Sequence, residues 1–386
     1  MKITFKFIPS LALTVATCSA PGSADDGQEA TRRAIVRSAA DQVVVPAYQA
    51  AAERLLVLAN ATATLADDAA ADPATADPSA ARAAFADAMD AWQRVEILRF
   101  GPAGPAGLVT GGESLRDEIY SWPTTNPCRI DEELTEGSFD DPNFFTANLV
   151  NVRGLDAVAY LLFVETPGNA CDATRPINKD GAWEALGSDE IARRRLRYAA
   201  LAAADAADRA AALAARWAPD GGDAYAGFVA AGSEGSPYPT TRVALDEFAV
   251  GLFDLEAEVK ERKLAVTDPE ALEGRYGGRS EAYVLANLDA ARAVFYGAPT
   301  PEAGTGFDDW LRNLGQAGLV ADVEAAFAAA DAAVRAIGPF DEALARDGAA
   351  LAPAADAVGE LTALLKGPVL AALSLMPPAD GAGDAD

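Results

Sequence analysis

The chain has 386 residues, 51% of them hydrophobic, with 58 acidic side chains against 31 basic ones and a formal net charge of -27. That surplus of negative charge excludes nucleic acid and anionic membrane surfaces as partners. There is no histidine, which excludes Ser-His-Asp and Cys-His nucleophilic sites, HExxH zinc sites and the two-His-one-carboxylate iron site. Any chemistry must run on carboxylates, Tyr, Lys, Arg or Ser. Any metal site must be rich in oxygen, which favours hard cations such as Ca²⁺, Mg²⁺ or Fe³⁺.

The chain opens on an export signal over residues 1–24. Lys2 and Lys6 precede an apolar run, Phe7–Ala16, that is too short to span a bilayer. Val15-Ala16-Thr17-Cys18 resembles a lipobox and favours a lipid anchor at Cys18; Gly22-Ser23-Ala24 offers an ordinary cleavage site instead. Membrane contact is expected only through that anchor, with the protein in the periplasm or at the outer membrane. In such an oxidising compartment Cys128 and Cys171 are expected to pair. Closing that loop contributes roughly 3–4 kcal/mol in the chain-entropy model.

Residues 31–67 carry a helical pattern that Pro46 should kink or split. A second helix is expected over 79–99, with Ser79 as its N-cap. Phe85, Met89 and Trp92 share one face, and Glu96 is the next step on it. An acid there stands either at the wet end of the stripe or facing a site, and Arg99 is placed to pair with it. Short helices follow over 114–121 and 131–136, separated by Trp122-Pro123. Trp122 either lines a site or packs.

Helix 151–165 contains R-G-L-D-A-V-A-Y-L-L-F, Arg153–Phe163. Apolar nearly all round, it belongs in a core. Its one internal charge, Asp156, must be paired, protonated or bound to a cation. Three roles are open to it: an acid bridged to Arg99, Arg116 or Arg153, a ligand contact, or a general acid or base with a raised pKa.

The second half brings helices over 188–217, 240–263, 280–296, 304–314, 319–337 and 349–375. No segment alternates like a strand, so the fold class is all-α. Two helical bundles are expected, over 27–178 and 181–376, before a disordered tail at 377–386.

Four landmarks occur in order: Trp92–Pro102 (W-Q-R-V-E-I-L-R-F-G-P), Ser121–Asp131 with its S-W-P and C-R-I-D, Arg153–Phe163, and Y-G-G-R-S at Tyr276–Ser280 followed by N-L-D-A-A-R-A-V-F-Y-G. Together they resemble the imelysin-like family of bacterial envelope proteins, over roughly residues 30–375. The resemblance implies two related four-helix-bundle-like halves with a cleft between them, and a link to iron acquisition. That family was named for a peptidase activity and carries a G-x-H-x-x-E signature. Here Gly154 matches the Gly, but Asp156 stands for the His and Ala159 for the Glu, so a His/Glu peptidase cannot operate.

The expected ligand-binding residues are Asp156, Glu96, Arg99, Gly154, Trp122 and Ser280. Asp156 and Glu96 are the expected metal ligands, for iron or another hard cation. The reading is a binding protein linked to iron acquisition, with an iron-linked ligand or iron-uptake components as partners. The alternatives are a metal-dependent peptidase with an altered site and an envelope scaffold that binds another protein.

Overall fold

The computed structural model describes residues 23–376. The expected lipidation site Cys18, most of the export signal and the tail at 377–386 lie outside the described residues. Among the described residues there is no strand. Helix α1 is Ser23–Ser38, α2 Val45–Ala71 and α3 Ser79–Gln93. Helix α4 is Pro127–Glu136, α5 Gly154–Phe163 and α6 Ser188–Arg216. Helix α7 is Thr241–Asp254, α8 Ser280–Tyr296, α9 Ala317–Ile337 and α10 Ala352–Leu364.

The first helical stretch is not split at Pro46 but runs on through a change of winding. Pro46 sits in the first turn of α2, and the preceding residues Ala39–Val44 wind as a π-helix. Proline has no N–H and its ring crowds the carbonyl four residues back, so a regular α-turn cannot run through it. Helix α3 begins at Ser79, but Ser79 is not its cap. The N-cap position is Pro78, which has no side-chain cap, and Asp77 Oδ1 just ahead of it accepts from the Ser79 backbone N–H at 3.0 Å.

The first bundle is α2, α3, α5 and α6. Buried Ala199, Ala202, Ala203, Ala206, Ala207 and Ala210 line α6, and such small side chains let α2 pack close along its length. Helix α6 follows the expected boundary near residue 180 yet packs chiefly on α2 and α5. The second bundle is α7 with its continuation, α8, α9 and α10, and α3 against α8 joins the two. Cys128 at the start of α4 is bonded to Cys171, at an S–S distance of 2.06 Å.

The continuation of α7, Leu255–Leu264, is wound as a π-helix. Five residues apart on an α-helix point about 140° away from each other, at 3.6 residues per turn. The i→i+5 winding brings such residues to one side. Glu258 and Lys263 are five apart, and both are buried.

Candidate functional site

Helix α5 is central. It packs on α3 and α6, and every residue from Gly154 to Leu162 is buried. Gly154 starts it at φ +76°, and a Cβ there would meet the Ile119 carbonyl oxygen at 2.6 Å. Only glycine fits such a close approach in the left-handed region. Gly154 therefore sets where α5 begins and which way Asp156, two residues on, faces.

Asp156 is 6% exposed. It lines a cavity of about 10 Å³ with Ala159, Phe85, Met89, Tyr120 and the C-terminal-half residues Glu273, Gly274, Tyr276, Gly277 and Tyr283. That is room for one water or one bare ion. Burial pushes the Asp156 carboxyl up to about 6, against the opposing pull of Arg275 and a hydrogen bond from Thr125. Among the described residues Asp156 has no ion pair within 4 Å. The arginines expected for it are engaged elsewhere: Arg116 with Glu96 at 3.1 Å, Arg99 with Glu258 at 3.3 Å and Asp254 at 3.4 Å, and Arg153 with Glu118.

Beside the cavity runs a buried polar seam between the bundles. Lys263 Nζ lies 2.5 Å from Glu96 Oε2, and donates to Gln93 Oε1 at 2.6 Å and Asn287 Oδ1 at 2.8 Å. It also lies 2.9 Å from Glu273 Oε2, a charge contact without hydrogen-bond geometry. Tyr120 and Gln93 donate to Glu273 Oε1 at 2.7 and 2.8 Å. Burial works against the Glu96 charge, but Lys263 and Arg116 outweigh it and hold that carboxyl below its ordinary range. Glu273 has no arginine of its own, and burial pushes it up to about 7 despite Lys263, with the Glu96 charge adding to the rise.

The structure brings only Asp156, of the six expected ligand-binding residues, to this cavity. The expected metal pair is not assembled, because Arg116 and Lys263 take both Glu96 oxygens. Arg99 stands in the seam. Trp122 is buried in the core. Ser280 Oγ accepts from the Gly274 N–H at 3.0 Å and so holds the glycine-rich loop in place. Ser280 lines a separate pocket of about 260 Å³ with Arg275 and Arg279. Sequence reasoning missed Glu273, Tyr283, Tyr120 and Lys263. The Y-G-G-R-S landmark bordered the right loop, but nothing in its spacing aims Glu273 at α5.

The family model for imelysin matches residues 44–366. The chain belongs to the imelysin family. No curated protein matches the chain in sequence. Among solved structures, this imelysin chain is similar to a protein from Parabacteroides distasonis described as an iron-regulated protein A precursor. The TM-score is 0.66 at 19% identity, covering 89% of this chain and 95% of that one. It is also similar to an imelysin-like protein from Psychrobacter arcticum, with TM-score 0.65 at 14% identity, covering 90% and 96%. At such identities these likenesses establish the imelysin fold. No helix among the described residues is long and apolar enough to cross a membrane.

Proposed function

We propose that this imelysin-family chain is an exported, non-catalytic binding protein linked to iron acquisition, with its ligand held at Asp156 between the bundles. The observation that carries the reading is a buried carboxylate that faces a small cavity and has no ion pair among the described residues. A buried acid left without a cation costs stability, and a bound cation would repay that cost. The iron link draws on the family and on the iron-regulated relative.

Room for one water or one bare ion suits an ion and does not suit haem or a peptide. Ala159, standing in the cavity wall where the family Glu would be, has no group to assist hydrolysis. Calorimetric titration of the metal-free protein with Fe³⁺, Fe²⁺, Ca²⁺ and haem tests the reading. A hard cation should bind, and Asp156→Asn should abolish its binding while the fold persists. Silence with every ion would sink it.

A further inference from the structure

We infer that the pocket between the glycine-rich loop and Phe340 is a second binding site, for a free α-amino acid with an apolar side chain. It is separate from the cation reading above and does not depend on it.

The pocket holds about 260 Å³. Sites for drug-sized ligands run to roughly 300–1,000 Å³, so this one suits a small metabolite. Ser280 is the pointer. It is 7% exposed and lines the pocket. Its Oγ accepts from the Gly274 N–H, but its own proton has no acceptor among the described residues. A buried polar group is nearly always paired, so a spare donor in a pocket wall marks a place for an acceptor. Arg279 Nε is a second such donor, buried and without a hydrogen bond, while Nη2 of the same side chain reaches Asp90. Arg275 is the third. It donates to the Glu270 carbonyl and the Tyr276 hydroxyl, both at 2.8 Å, and has no ion pair within 4 Å among the described residues. Helix α8 also starts in this wall without a side-chain cap, which adds the N–H donors of its first turn.

Charge selects the ligand. The donors call for a carboxylate. Glu281 and Asp341 line the same pocket, and neither has an ion pair within 4 Å among the described residues. They repel a plain anion, and the net charge of -27 repels it from further off. An α-amino acid escapes both, because it carries no net charge. Its carboxylate takes the arginines and Ser280, and its ammonium takes the two acids. Leu272, Leu285 and Phe340 supply an apolar wall for its side chain.

The test is calorimetric titration of the full chain with leucine, methionine and phenylalanine, together with the deamino acid and the decarboxylated amine of each. At least one amino acid should bind, one per chain, and both of its analogues should bind at least about tenfold more weakly. Arg275→Gln should weaken the amino acid by a similar factor. Glu281→Gln should weaken the amino acid but not its deamino analogue. The assignment is overturned if none of the three amino acids binds, if the deamino acid binds as tightly as its parent, or if Arg275→Gln leaves binding at full strength. Circular dichroism checks that each variant folds, and should Arg275→Gln unfold, the wild-type ligand comparison and Glu281→Gln decide.

Discussion

Lys263 and Glu96 meet at 2.5 Å with side chains only 2% and 1% exposed, across 167 positions of sequence. Neither charge is tolerable there alone. The pair ties the turn after α3 to the π-wound end of α7, and so ties one bundle to the other.

Lys263→Met leaves Glu96 with Arg116 alone and Glu273 with no cation. Breaking a buried pair from one side costs about 3–5 kcal/mol, so urea denaturation should show a loss of that order. The double variant Lys263→Met/Glu96→Gln should recover part of it. Equal losses in the single and double variants would mean the pair is not coupled.

The same pair sets a pH signature. The Glu96 carboxyl is lowered on folding, so its contribution is present above the ordinary carboxylate range and is lost as pH falls through the folded value. Burial works against the Lys263 charge, but Glu273 and Glu96 outweigh it and raise that group. Its contribution is therefore present below the ordinary lysine range and lost as pH rises through the folded value. Chemical denaturation across pH should show the acid-side loss in the wild type and a smaller one in Glu96→Gln.

Asp156 has the opposite sign. Its carboxyl binds protons more tightly folded than unfolded, so metal-free stability falls as pH rises from about 4 to about 6 and stays lowered above that. Asp156→Asn should therefore stabilise the metal-free protein above pH 6, by on the order of 2–3 kcal/mol. A lower melting temperature at that pH would show that the acid serves structure.

Gly154→Ala forces a side chain into the left-handed region and against the Ile119 carbonyl. A loss of about 2–4 kcal/mol is expected, read by thermal unfolding. Near-wild-type melting would mean that the start of α5 can shift without cost.

Cys128→Ser/Cys171→Ser opens a loop spanning 43 positions. The chain-entropy model puts the loss at roughly 4 kcal/mol. Asp131 should feel it as well, since Ala170 next to Cys171 donates to Asp131 Oδ2 at 2.7 Å. Equilibrium unfolding of the double variant checks the size of the loss, and a thiol assay of denatured, unreduced protein checks the bond.

Local patterns were legible in the sequence for physical reasons. Apolar spacing places α3, α6 and α8, Pro46 disturbs the winding of its helix, and the lack of histidine removes whole classes of site. The wording of the landmarks carried the family, and two cysteines in a chain read as carrying an export signal carried the disulfide. The partners of the buried charges were not legible. Glu96 looked like a ligand for Asp156, and only the tertiary structure decided that Arg116 and Lys263 occupy its oxygens. Charges pair by distance in space, and here that distance is crossed by a π-wound helix end and a glycine-rich loop whose course leaves no periodic trace. For the same reason Glu273 and Tyr283 could be placed opposite Asp156 only once the two bundles were packed together.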